Sequence, residues 1–188
     1  MEFSHVMRAR RAIRVFDGRS VPPDVLEDLF GAAISAPSRM NVQPWHFHVA
    51  TGATRDRAAE VMSLTTSYLE DYVDALGTDG IERAARFYAD LGAAPVVVAV
   101  SSPHSDDEDE ARDFAISVGA AAENLLLAAT DRGLGACPLS APRWIRDALC
   151  EVFGVAEGRD VVLLIVVGYP DEAPGPRGRD PQKVTYLR

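Results

Sequence analysis

Lysine is almost absent from this chain of 188 residues. Lys183 is the only lysine, and the other 18 of the 19 basic residues are arginines. Acidic residues number 28, and the formal net charge is −9. Nucleic-acid-binding proteins usually carry the opposite sign, so the composition disfavours a nucleic-acid partner. Codon bias would explain arginine in place of lysine. Phosphate binding by some of the arginines, whose planar guanidinium groups suit a phosphate, would explain it as well.

Cysteine and long apolar runs are also scarce. Cys137 and Cys150 are too few for a disulfide framework, and their spacing fits no metal-binding motif. No run approaches the roughly 18 apolar residues of a membrane span, and the charged N-terminus does not read as a signal peptide. We therefore expect a reduced, cytoplasmic protein without a bound metal and without a membrane contact.

Two common catalytic signatures are missing. No Gly-x-Gly-x-x-Gly joins a predicted strand to a helix, and Gly133-Leu134-Gly135 follows a predicted helix instead. No Gly-x-Ser-x-Gly nucleophile elbow occurs. His46 and His48 share one face of a predicted strand, but no carboxylate or cysteine lies near them in sequence, which disfavours a metal site.

The apolar pattern predicts a single α+β domain over residues 1–188, with a small mixed central sheet flanked by helices. Residues 95–100 and 161–167 are continuous apolar runs typical of buried strands, and 45–50 alternates like a strand. Residues 112–132 form the strongest predicted helix, apolar nearly all round, so it is central or lies in an interface. Further helices are predicted over residues 4–10, 23–36, 54–76, 81–91 and 142–153.

Three segments carry groups suited to a phosphate or a flat heterocycle. Four arginines lie within residues 8–14, where they form either a solvated basic face or a phosphate site. The loop 36–45, bounded by prolines, carries Ser, Arg, Asn and Gln, which either bind a planar ligand or satisfy one another. Residues 133–141 are predicted as a glycine-rich turn that lets a ligand approach the backbone, although a helix cap is the commoner explanation.

The order of these segments resembles the FMN-dependent nitroreductase family, and the short bacterial members most of all. The chain reads Arg-Arg-Ala-Ile-Arg-Val-Phe, then Ala-Pro-Ser-x-x-Asn-x-Gln-Pro-Trp-His-Phe, then Gly-Leu-Gly-Ala-Cys-Pro, then Val-Gly-Tyr-Pro. The resemblance implies the nitroreductase-like fold and an intertwined homodimer with FMN sites at the interface. It also implies ping-pong hydride transfer from NADH or NADPH through FMN to a nitroaromatic, a quinone or a similar small planar acceptor.

The resemblance further implies which residues hold FMN, while the flavin itself carries the electrons, so that no side chain is catalytic in its own right. Arg10, Arg11 and Ala12 match the segment at the phosphate and ribityl chain, with Ala12 in place of the usual Ser. Arg14 matches the supporting cation at the flavin pyrimidine edge. The other matches lie in the loop that reaches the partner's FMN, in the segment at the flavin edge, and in the C-terminal basic pair: Pro37, Ser38, Arg39, Asn41 and Gln43; Pro138, Leu139, Ser140 and Ala141; Arg177 and Arg179.

Several alternatives stay open. The same fold serves dehalogenase-like and flavin-modifying proteins, and a non-catalytic flavin-binding dimer is a further alternative. A dehalogenase-like lid would need a Glu-Tyr-Lys grip, which the absence of lysine before Lys183 disfavours. The expected lid spans residues 54–92, with candidate lining residues Tyr68, Tyr72, Phe87 and Tyr88. The strand-like residues Val184 to Tyr186 have no local partner, so we expect the tail 171–188 to extend toward the partner subunit.

Overall fold

The computed structural model describes residues 2–140, 143–176 and 178–187. Its helices are α1 (Phe3–Ala9), α2 (Pro23–Ile34), α3 (Gly52–Ser63), α4 (Val73–Asp90), α5 (Glu108–Asp131) and α6 (Arg146–Phe153). Its strands are β1 (His46–Ala50), β2 (Val96–Pro103), β3 (Gly135–Ser140) and β4 (Arg159–Gly168). Within the described residues, no helix is both long enough and apolar enough to cross a membrane.

The four strands form one sheet in the order β1-β2-β4-β3, and all three strand pairs are antiparallel. The α+β class is confirmed. The mixed character that the sequence predicts enters through an isolated parallel bridge between Ala12 and Ala136. β2 and β4 lie in the middle of the sheet, as expected from their unbroken apolar runs.

Helices cover both faces of the sheet. One apolar cluster joins α2 and α5 to side chains such as Val98 and Ile165, and a second joins α3 and α6 to side chains such as Ala99 and Leu164. α5 begins at Glu108, four residues before the predicted start. The Asp107 carboxylate caps it by accepting the N–H groups of Asp109 and Glu110 at 2.9 and 3.0 Å.

β3 replaces most of the turn that the sequence predicts over residues 133–141. Gly133 ends α5 with a φ of 72°, and the chain then pairs with β4 from Gly135 onward. Pro138 is tolerated in this strand because β3 lies at the sheet edge, where a missing N–H breaks no ladder. A Cβ at Gly135 would lie 2.7 Å from side-chain atoms of Ile13, so glycine here lets the N-terminal segment lie directly against the strand.

That N-terminal segment, residues 10–17, is fastened at several points. Ile13 donates to the Ala136 carbonyl at 3.1 Å, Phe16 to Gly92 at 3.0 Å and Asp17 to Tyr169 at 3.1 Å. These hydrogen bonds extend the edge of the sheet and hold residues 12–16 between β3 and the turn at Gly92. The backbone position of Arg14 is therefore set by three distant parts of the chain.

Candidate functional site

Arg10 and Arg14 lie on either side of Ala12, which bridges Ala136 of β3. Glu123 of α5 accepts from the Nε of Arg10 at 3.1 Å, and the side chain of Arg10 is 23% exposed. The backbone N–H groups of Arg14 and Val15 donate to the carboxylate of Glu172, which lies beyond β4. The exposed Arg14 side chain therefore extends from a backbone held by a distant carboxylate.

Residues 10–14 run along the outer edge of β3, because Ala12 bridges Ala136 and Ile13 donates to the Ala136 carbonyl at 3.1 Å. Burial raises the pKa of the neighbouring Cys137 thiol; the charges of Arg14 and Arg10 oppose this shift, and the charge of Glu172 adds to it. The buried, protonated thiol fits the small apolar filler that the sequence predicts.

Arg11 makes different contacts from its neighbour. Its Nη1 donates to the carbonyls of Arg8 at 2.6 Å and of Arg10 at 2.8 Å, which caps the C-terminus of α1. Its Nε is buried without a hydrogen-bond partner among the described residues. The side chain is thus engaged by the helix that precedes it, and its use on a phosphate stays a prediction.

The loop 36–45 adopts a compact and unusual conformation. Ser38 Oγ accepts a hydrogen bond from the N–H of Gln43 at 3.0 Å, and Gln43 Nε2 donates to Asn41 Oδ1 at 3.2 Å. Some of the polar groups of the loop are therefore hydrogen-bonded to one another. Three residues that are not glycine, Met40, Asn41 and Gln43, have φ values of 48°, 59° and 47°. Pro37, Arg39, Asn41 and Gln43 are exposed, and Arg39 forms a 3.2 Å ion pair with Asp113 of α5.

Residues 138–140, which the resemblance places at the flavin edge, alternate between exposed and buried side chains, as expected in a strand. Leu139 is buried in the core, whereas Pro138 and Ser140 are exposed on the other side of β3.

Ala141 lies outside the described residues, and so does Arg177 of the C-terminal pair. Arg179 donates to the Gly178 carbonyl at 3.3 Å within the exposed tail.

The prediction that Phe87 lines the lid is wrong. Phe87 is 5% exposed and belongs to the apolar core beside α3 and α6, and Tyr88 is half-buried against the same cluster. Tyr68 is exposed, and its ring lies 4.5 Å from the ring of Trp144, measured between centroids. The side chain of Tyr72 lies outside the described residues. The sequence gives no sign that Trp144 belongs beside Tyr68, because the two residues lie 76 positions apart.

A polar cluster lies beside β1, and the sequence indicates only its two histidines. The rings of His46 and His48 are 4.5 Å apart between centroids, and His48 Nε2 lies 3.0 Å from Ser101 Oγ. Arg159 donates from Nε to that same hydroxyl oxygen at 3.1 Å, and from Nη2 to the carbonyl of Pro44 at 2.6 Å. No local motif marks Ser101 or Arg159, because their partners lie far away along the chain.

Comparison with known proteins gives consistent results. The profile of the Nitroreductase family matches residues 7–169. Nitroreductase NfnB from Mycolicibacterium smegmatis is 31% identical over an alignment that covers 92% of this chain and 85% of the relative. Putative NAD(P)H nitroreductase YfhC from Bacillus subtilis is 26% identical, with 94% and 88% covered.

Solved structures share the fold. The FMN-dependent nitroreductase NfnB from Mycobacterium smegmatis, in complex with NADPH, aligns with a TM-score of 0.78 at 23% identity, covering 98% of this chain and 97% of that one. A nitroreductase with bound FMN from Desulfitobacterium hafniense also gives 0.78 at 23% identity, covering 100% and 99%. With the fold, the ordered motifs and the profile match in agreement, the chain belongs to the Nitroreductase family.

Proposed function

We propose that this protein is an FMN-dependent oxidoreductase that takes reducing equivalents from NADH or NADPH and reduces a small planar acceptor such as a nitroaromatic or a quinone. Family membership supports the reaction class. The observation that carries the assignment to this chain is the placement of Arg10 and Arg14 on either side of the Ala12–Ala136 bridge at the outer edge of β3, with the Arg10 guanidinium held by Glu123. Bound FMN supplies the hydride chemistry, and the protein supplies binding, orientation and electrostatics.

The described residues fit a flavin mononucleotide. Glu123 holds the guanidinium of Arg10 in place through Nε, and a charge-assisted hydrogen bond from this group suits the phosphate. Beyond the Ala12–Ala136 bridge, the outer edge of β3 offers backbone groups at Pro138–Ser140 for ring heteroatoms. Ala12 has no hydroxyl, so only its backbone is able to contribute.

Arg14 has a distinct role in this proposal. A fixed cation beside the pyrimidine edge stabilises the negative charge that reduction places there. The Glu172 carboxylate, by accepting the N–H groups of Arg14 and Val15, holds that part of the backbone in one place. A cation that is already oriented lowers the cost of reorganisation during the reaction.

A single chain does not bring the two halves of this site together. Arg10 contacts α5 at Glu123, whereas the loop 36–45 contacts α5 at Asp113 through Arg39. Ten residues of helix separate these points by about 15 Å. We therefore infer a homodimer in which two α5 helices cross antiparallel near Gly119, so that the loop of a second copy comes to the Arg10 segment.

The exposed surface of α5 supports this dimer. Between Asp113 and Glu123 the outer face presents Ile116, which is 64% exposed, and Gly119, around which a Cβ would find open space. α1 packs beside α5 and exposes Phe3 and Met7, one helical turn apart. The chain exposes 11328 Å², against roughly 8,800 Å² for a compact monomer of this size. An interface of the obligate kind would bury an excess of that order.

The tail provides a second contact with the partner. Val184, Tyr186 and Leu187 are exposed, and Leu187 is 93% exposed. β1 is an edge strand bordered by a groove of about 370 Å³, whose lining includes Phe30, Ile34 and Val49. In this proposal the tail adds to the edge of β1 in the partner subunit and covers these apolar groups.

The test of the proposed function begins with FMN loading. The purified protein should bind FMN and show flavin absorption at about 450 nm, and NADH or NADPH should bleach that absorption in the absence of oxygen. A panel of nitroaromatic, quinone and halogenated acceptors should then restore it at different rates. Failure to bind FMN would refute the proposal, and bound flavin that neither nicotinamide bleaches would establish the non-catalytic alternative.

Replacing Arg10 with Ala should weaken FMN binding by about 10- to 150-fold, the range for the loss of a charge-assisted hydrogen bond. Titration of flavin fluorescence measures this dissociation constant. Arg8→Ala is the matched control, since Arg8 lies two residues earlier, within α1, and donates to Ser4 Oγ at 3.0 Å. Equal affinities in the two variants would mean that the phosphate lies elsewhere.

A further inference from the structure

The loop 36–45 needs an external anchor because its backbone is strained. Met40, Asn41 and Gln43 occupy the left-handed region, which costs about 1–3 kcal/mol for each such residue and persists only where surrounding contacts enforce it. Gln43 is doubly disfavoured, because a residue before proline prefers an extended backbone with negative φ. The hydrogen bonds among Ser38, Asn41 and Gln43 join parts of the loop to each other and do not fix it to the sheet.

Arg159 provides that anchor. It is the first residue of β4 and is half-buried. Its Nη2 donates to the Pro44 carbonyl at 2.6 Å and to the Ser101 carbonyl at 2.9 Å, and its Nε donates to Ser101 Oγ at 3.1 Å. One guanidinium therefore clamps the C-terminal end of the loop to β2, and both Pro44 and Ser101 are buried.

The exposed ion pair between Arg39 and Asp113 is a weaker restraint, because screening by water and the entropy of two long side chains reduce its contribution. Hydrogen bonds from a charged, half-buried guanidinium to backbone carbonyls are stronger. Ser101 is itself oriented, since its hydroxyl lies 3.0 Å from His48 Nε2 while accepting from Arg159. Burial lowers the pKa of His48, and the charges of His46 and Arg159 act in the same direction, while a hydrogen bond to the backbone of Phe153 opposes them. The neutral ring is able to accept a hydrogen bond from the Ser101 hydroxyl at Nε2.

We propose that Arg159 is a positioning residue for the flavin site: by clamping the Pro44 carbonyl to β2, it holds Asn41 and Gln43 in the strained conformation in which they reach the FMN of the partner subunit. The inference rests on the proposed function, because it assigns these two amides to FMN. It adds a residue that touches neither flavin nor acceptor. Arg159 acts on the site of the second copy through the loop alone.

The test compares FMN binding by the wild-type protein and by three variants. Arg159→Met removes the donors at similar length and should weaken FMN binding by about tenfold, the low end of the range for a lost charge-assisted hydrogen bond, because Arg159 acts on FMN only through the loop. It should also change the visible circular dichroism of the flavin that remains bound. Arg159→Lys keeps the charge but has no planar fork, so it should fall between Arg159→Met and the wild type.

Arg132→Met is the matched control. Arg132 follows the last residue of α5 and donates from Nη1 to the Asp28 carboxylate of α2, so this variant removes the same kind of donor from a place that contacts none of the residues assigned to FMN. The FMN dissociation constant should stay within about twofold of the wild-type value. A purely structural role for Arg159 predicts an unchanged FMN dissociation constant in both methionine variants.

Each outcome decides a separate question. A wild-type protein that binds no FMN refutes the proposed function before any variant is made. Wild-type binding with unchanged affinity and circular dichroism in Arg159→Met overturns only the inference. If Arg159→Met does not fold, Arg159→Lys decides, and wild-type affinity with a wild-type flavin spectrum in that variant overturns the inference.

Discussion

Removing residues 181–188 is expected to convert the protein from a dimer into a monomer and to abolish FMN binding. The described residues of this segment, 181–187, are exposed in the single chain, so the deletion should leave the packed core intact. It would uncover the edge of β1 and the groove beside it in the partner subunit, and it would leave the FMN site without the loop of the second copy. Light scattering measures the mass, and flavin fluorescence measures FMN binding.

A substitution in the same segment serves as the control. In a strand, Thr185 points to the opposite side from Val184 and Tyr186, so Thr185→Ala should preserve the dimer. Far-ultraviolet circular dichroism should show that the truncated chain keeps its secondary structure. A truncated protein that remains dimeric and binds FMN normally would show that α5 and α1 suffice for assembly, and that the tail has been assigned wrongly.

Gly92→Ala should be the most destabilising of the single substitutions considered. Gly92 has a φ of 64°, and a Cβ there would lie 2.0 Å from the carbonyl oxygen of Arg14. Neither group yields easily, since Phe16 donates to the Gly92 carbonyl at 3.0 Å and fixes the two segments to each other. We expect a loss of at least about 4 kcal/mol in the free energy of unfolding, together with weaker FMN binding, because the backbone at Arg14 must move.

Gly154→Ala separates the effect of φ from the effect of the clash. Gly154 caps α6 with a φ of 60°, and nothing lies within 4 Å of a Cβ built there. Only the left-handed backbone is penalised in this variant, so the expected loss is about 1–2 kcal/mol. Urea unfolding at one fixed protein concentration measures both. A Gly92→Ala protein as stable as Gly154→Ala would mean that the Arg14 segment is looser than these contacts indicate.

Local pattern predicts the parts of this fold in which each residue's environment repeats regularly. The apolar runs of β2 and β4 and the helical spacing of α2 and α5 are read directly from the sequence. β3 is not, because its glycine and proline are locally typical of a turn. Gly135–Ser140 becomes a strand through pairing with β4 and through the approach of Ile13, neither of which its own sequence reveals.

The region before β2 is another such case. The sequence predicts helices over 54–76 and 81–91. The structure instead ends α3 at Ser63, continues as a 3-10 segment over residues 64–72, and begins α4 at Val73, but Gly77, with a φ of 67°, kinks α4 where the sequence predicts the break. Phe87 looks like a lid residue in sequence but packs in the core. Periodicity identifies the helices there, yet only the packing against α3 and α6 decides which aromatic side chain is buried.

The sequence by itself determined the α+β class, the family and the segments that carry the cofactor motifs, because each of these is encoded in contiguous stretches of residues. Only the tertiary structure decided what the individual arginines do. Arg10 and Arg11 are adjacent in sequence, yet Arg10 pairs with Glu123 of α5 whereas Arg11 caps α1. Arg159 carries no local signal, since the carbonyl it holds lies 115 residues away. Hydrogen bonds between such distant residues form only when packing brings donor and acceptor together. The hydrophobic periodicity of the sequence describes neighbours within one helix or strand and does not indicate which distant residues meet.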